Sequence, residues 1–128
     1  DDMTSEVWLI AEFTIKEGKL DAFKDIANKF ITTVQENEPG ALTYQLYFDH
    51  KQAKCLAVEQ YRDSKAVLTH FKNAGALGLK LLGTAQLTRR ELVGNVSNEL
   101  KIAAIPFGVT FFKPWGGFVR EQEVSRAC

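Results

Sequence analysis

Residues Cys55–Phe71, CLAVEQYRDSKAVLTHF, decide the fold, because they join a strand to a helix with almost nothing in between. Along Cys55–Arg62 the side chains alternate. Cys55, Ala57, Glu59 and Tyr61 share one face, and Leu56, Val58 and Gln60 the other. Asp63 and Ser64 follow as N-cap residues, and Ala66, Val67, Phe71 and Ala74 then recur at helical spacing. His70 sits on that apolar stripe. A carboxylate, a phenol and an imidazole, from Glu59, Tyr61 and His70, are thus aimed at one seam between sheet and helix.

Working outward, Val7–Ile15 (VWLIAEFTI) reads as a strand with apolar residues on both faces, Trp8 and Ile10 lying opposite Val7, Leu9, Ala11, Phe13 and Ile15. Lys19–Asn37 is an amphipathic helix with the stripe Leu20, Phe23, Ala27, Phe30, Ile31 and Val34, and Pro39-Gly40 stops it. Ala41–Asp49 is a second strand, with Leu42, Tyr44, Leu46 and Phe48 opposite Thr43, Gln45 and Tyr47. A short polar turn then leads into the third. Beyond Phe71, Ala76–Leu87 keeps helical spacing at Leu77, Leu81, Leu82 and Ala85, weakened by Gly78 and Gly83. Arg89–Val96 reads as a fourth strand, Asn98–Ile105 as a short helix capped by Ser97, and Val109–Phe112 as a short fifth strand.

The order β-α-β-β-α-β predicts an α+β, ferredoxin-like domain over residues 7–118 with a C-terminal extension. Residues 1–6 read as a disordered start and residues 119–128 as a polar tail. Both main helices fall on one side of the sheet, yet the strands supply Tyr, Trp and aliphatic residues to both sides. Such an exposed face calls for a cover, and a second copy supplies one most simply, so a homodimer is expected.

With 128 residues the chain is long enough for one domain and one core. Sixteen basic residues balance sixteen acidic ones, leaving no field to recruit nucleic acid or an anionic membrane, and Arg89-Arg90 is too short a run to change that. Cys55 lies mid-strand and Cys128 at the end, with no Cys/His spacing for a metal and no disulfide framework. With no signal-like or membrane-length apolar run, a cytoplasmic location is expected. No GxGxxG or P-loop pattern is present, which agrees with chemistry free of cofactors.

From about Val7 to Val96 the chain resembles the antibiotic biosynthesis monooxygenase family of cofactor-free, dimeric α/β-barrel proteins. The matching pieces are LIAEFTIKEGK, EPGALTYQLYFD and AVEQYRDSKAVLTHF, the last carrying Glu59, Tyr61, Ala66 and His70. Tyr61 stands where the family often has Trp, and the extension from Ser97 to Phe118 resembles a longer subgroup. The resemblance implies an oxygenase acting on a small electron-rich aromatic, a hydroquinone or polyketide-type phenol, with dioxygen and neither metal nor cofactor. His70 is the expected base, since an imidazole titrates near working pH, and Glu59 its partner. Tyr61 and Tyr47 are expected to flank the substrate ring and Trp8 to close the cavity.

Each residue also has a plainer role. His70 can be a packed imidazole, Glu59 a buried hydrogen-bonding partner, and the tyrosines strand formers. A binding or stress-associated dimer without turnover therefore stays open. A haem-degrading relative fits poorly, with Glu12 and Phe13 on the first strand and no His in Gly78–Leu81. An isomerase of a phosphorylated metabolite would want inward-facing cations, which strand alternation does not supply.

Overall fold

A computed structural model describes residues 5–121. Its elements are β1 (Val7–Ile15), α1 (Leu20–Asn37), β2 (Ala41–Phe48), β3 (Lys54–Tyr61), α2 (Ser64–Leu82), β4 (Ala85–Gly94), α3 (Asn98–Ala104), a 3-10 turn over Ile105–Phe107, and β5 (Thr110–Phe112). The five strands form one sheet in the order β2-β3-β1-β4-β5. Only β5 runs parallel to its neighbour. The first four strands and two long helices make the ferredoxin-like α+β fold that the element order predicts.

Two clusters fill the space between sheet and helices. Val7, Leu9, Tyr61, Val67 and Leu92 meet Leu100 and Ala104, so α3 completes the core rather than decorating it. At the other end Phe23, Ala27 and Phe30 of α1 pack on Cys55, Leu81 and Ala85. The opposite face of the sheet bears no helix. Trp8, Ile10, Leu56 and Val58 there are half-buried, and Tyr47 is 53% exposed.

The largest departure from the sequence reading lies after His70. The helical path breaks once, at Gly75 (φ 12, ψ −108), directly before Ala76, and a second helical segment runs on to Leu82 rather than Leu87. Strand β4 then begins at Ala85, inside the stretch whose spacing reads as helix, and ends at Gly94 rather than Val96. Pairing decides this: Ala85, Gln86 and Leu87 lie against Ile15, Thr14 and Phe13 of β1, and the ladder outweighs local helical periodicity. The expected disorder of residues 1–4 and the tail beyond Glu121 lie outside the described residues.

Candidate active site

α2 starts with Asp63, whose carboxylate accepts the backbone N–H of Ala66 at 2.9 Å. Two turns on, the helix delivers His70 between the sheet and α1. There the imidazole is 6% exposed, with the rings of Tyr44, Tyr61 and Phe30 around it at centroid distances of 5.7, 5.5 and 6.3 Å. Its Nδ1 lies 3.0 Å from Oε1 of Glu38, and its Nε2 lies 3.6 Å from Oε1 of Glu59. Both carboxylates are buried. The shorter contact is a hydrogen bond and the longer is not. When Nδ1–H donates to Glu38, the Nε2 lone pair is left for a substrate proton.

Glu38 follows the last turn of α1, where its backbone N–H closes on the Val34 carbonyl at 2.9 Å. Pro39 then ends the helix, and Gly40 brings the chain against α2. A Cβ on Gly40 would stand 2.7 Å from that of Ala66, so only glycine permits this approach. The sequence Glu-Pro-Gly therefore acts as a unit: acid, helix stop and close contact.

Glu59 pairs in register with Leu9 on one side and Tyr44 on the other, and all three point toward the helices. The Tyr61 hydroxyl donates to Glu59 Oε1 at 2.5 Å. Burial pushes the Glu59 carboxyl above its ordinary range, Glu38 adds to that, and His70 and the Tyr61 hydrogen bond pull against it. Tyr61 and Tyr44 are likewise pushed up, by burial first and then by the charge of Glu59, so both phenols keep their protons.

Glu59, His70 and Tyr44 form one wall of a cavity of about 280 Å³ that opens to solvent. Its floor is low because Ala11 and Ala57 face it from neighbouring strands, and its roof is low because Ala74, Gly75 and Gly78 present little side chain. Exposed Leu79, Leu82 and Phe107 edge the opening. Apart from the Glu59–His70 wall and Tyr44, Arg90 is the polar residue of the lining.

Of the residues expected from sequence, His70, Glu59 and Tyr61 come together. Trp8 and Tyr47 do not join them. Trp8 pairs with Gln60 and Tyr47 with Leu56 on the helix-free face, so Tyr61 and Tyr47 cannot flank one ring within a protomer. The tyrosine of β2 that faces the cavity is Tyr44. Glu38 and Arg90 escape the sequence reading. The first is hidden in a helix stop, although an acid directly before Pro-Gly is a visible signal. The second shares the face of buried Leu92 two residues on, and the expectation that no cation faces the pocket is corrected by it.

The sequence profile of antibiotic biosynthesis monooxygenases matches residues 7–77, more than half of the chain. The chain belongs to that family. Among solved structures it is similar to MupZ from Pseudomonas fluorescens, with 26% identity, 94% of this chain and 93% of that one covered, and a TM-score of 0.82. SnoaB, a cofactor-independent oxygenase from Streptomyces nogalater, superposes with a TM-score of 0.62 at 16% identity, over 70% of this chain and 91% of its own. A conserved protein from Methanosarcina mazei Go1 gives 0.61 at 15%, over 70% and 89%. The latter two speak for the fold alone, whereas the match to MupZ spans nearly the whole chain. No curated protein matches the sequence. As a member of the antibiotic biosynthesis monooxygenase family, the chain has a monooxygenase-type ancestry. Among its described residues no helix is long and apolar enough to cross a membrane, and no three His, Cys, Asp or Glu side chains cluster as metal ligands.

Proposed function

We propose that this protein is a cofactor-independent monooxygenase acting on a small electron-rich aromatic, with His70 as general base and Glu59 as its partner. The observation that carries this is an imidazole bracketed by two buried carboxylates on the wall of an apolar cavity. Glu38 fixes the ring, and Nε2 takes the phenolic proton. The anion so formed is electron-rich enough to pass an electron to dioxygen. Recombination at carbon gives a hydroperoxide, and loss of water leaves one oxygen atom in the product. Tyr44 offers its ring as a platform for the substrate, and the two carboxylates flank the imidazole.

We also propose a cytoplasmic homodimer, with the helix-free face buried between two copies. Trp8 and Tyr47 then serve that contact, or the partner's cavity, rather than their own.

Oxygen consumption with a panel of hydroquinones and polycyclic phenols tests the chemistry. At least one should support uptake, and His70→Ala should slow it roughly 10²- to 10⁴-fold. A dimeric, folded protein inert toward the whole panel would leave a ligand-binding role. One observation favours a second reaction class: with Arg90 facing the cavity, the ground for setting aside an isomerase falls away. An imidazole between two acids can return a proton as well as take one. Deuterium uptake from solvent into a ligand of unchanged oxygen content would identify that case.

A further inference from the structure

Strand β4 does not alternate regularly. Arg89 pairs with Glu12 and Leu87 with Phe13, so Thr88 is an extra residue in the ladder. This is a β-bulge, a device that re-aims the side chains beyond it. The Thr88 hydroxyl pins it, lying 3.2 Å from the Glu12 carbonyl oxygen and 3.1 Å from Glu12 Oε2. As a result Leu87 and Arg90, three positions apart, face the same cavity, and Arg89 turns to the far side, where its Nε donates to Glu91 Oε2 at 2.8 Å.

Arg90 is thereby left as a half-buried cation in an apolar lining, and among the described residues it has no hydrogen-bond or ion-pair partner. Its neighbour acid is taken by Arg89. The extension lies beside it: Phe107 and Val109 line the same cavity, and a Cβ on Gly108 would lie 4.0 Å from Arg90 Nε. These residues, and Arg90 itself, lie beyond the stretch matched by the family profile. A guanidinium with apolar neighbours and no counter-charge is free to take a ligand's, and its planar fork suits a carboxylate.

We propose that Arg90 anchors a carboxylate of the ligand, so that the substrate is a small, largely apolar acid gripped at one end and transformed at the other. The sheet register sets the span. Ala57, Ala11 and Arg90 form one row across β3, β1 and β4, and Glu59 lies two residues along from Ala57. At the usual strand spacing and rise, the Cα atoms of Arg90 and Glu59 are about 12 Å apart. Ala11 and Ala57, with their small side chains, lie in the cavity lining between Arg90 and Glu59 and leave that stretch open to a ring. The inference rests on the cavity being the substrate site, but not on which reaction occurs there.

Binding of 2-naphthoate and of its methyl ester, measured by titration calorimetry on the intact protein, separates these points. The acid should bind about tenfold or more tightly than the ester, as a charge-assisted pair warrants. Arg90→Met, which keeps the stem and removes the charge, should abolish that preference by weakening acid binding far more than ester binding, and Arg90→Gln provides the same comparison if the first variant does not fold. His70→Ala should retain the preference. Equal affinities for acid and ester, a preference that survives both Arg90 variants, or no saturable acid binding at millimolar concentration would each overturn the assignment. Acid preference together with no oxygen uptake across the hydroquinone and phenol panel would uphold it while removing the monooxygenase reading.

Discussion

Glu59 has its carboxyl held above the ordinary range chiefly because the fold strips it of water, which links the site to stability. A carboxyl whose folded pKa is raised binds more protons folded than unfolded. Its contribution is fully present below the unfolded value of about 4.5 and is lost as pH rises through the folded one. Each tenfold gain in proton affinity on folding is worth about 1.4 kcal/mol. Glu59→Gln keeps the shape and cannot ionise. Thermal melts from pH 4 to pH 8 should therefore decline less steeply for the variant than for the parent, and a variant that declines as steeply would place the linkage elsewhere. At this scale the sequence told which residues share a face but not which groups they would meet. The seam of Glu59, Tyr61 and His70 is written in two short periodicities. Glu38 reaches His70 only through the packing of α1 on α2, to which no local pattern refers.

The turn Glu38-Pro39-Gly40 ties two helices to the site through one tight contact. Gly40→Ala would drive a methyl into Ala66, and overpacking of that kind typically costs about 1–3 kcal/mol. A lowered melting temperature should be accompanied by loss of activity beyond the unfolded fraction, since the Glu38–His70 bond depends on that approach; a variant as stable and active as the parent would show the contact to be soft. The elements up to α2 could be read from the sequence to within a residue or so, because each has one clear period and a clear stop. After His70 the signals conflict. Gly78 looks like a helix breaker but thins the helix above the cavity, the break falls at Gly75 instead, and Ala85 keeps helical spacing while belonging to a strand. The bulge at Thr88 interrupts alternation once, so that Leu87 and Arg90 share the cavity side although they are three positions apart.

Taken as a whole, the molecule has one finished face and one unfinished one. Half-buried Trp8, Ile10, Leu56 and Val58 with exposed Tyr47 make a broad apolar surface across three strands, more than scattered surface residues require. Sedimentation at micromolar concentration should show a dimer. Tyr47→Asp should weaken it by about tenfold or more, since a charge would have to be desolvated on association. A well-folded monomer with parent-like activity would show that neither the face nor the partner serves the site. That face was legible in the sequence, because it needs only alternation along strands.

The central place of β1 has a further consequence for how the chain comes into being. It hydrogen-bonds to β3 and to β4, so its last partner, Gly94 opposite Val7, emerges from the ribosome long after Val7 itself. Until then an unusually apolar strand waits with one open edge. Nascent chains stalled before β4 should therefore aggregate more readily than chains released after it, which a stalled-chain solubility assay would show.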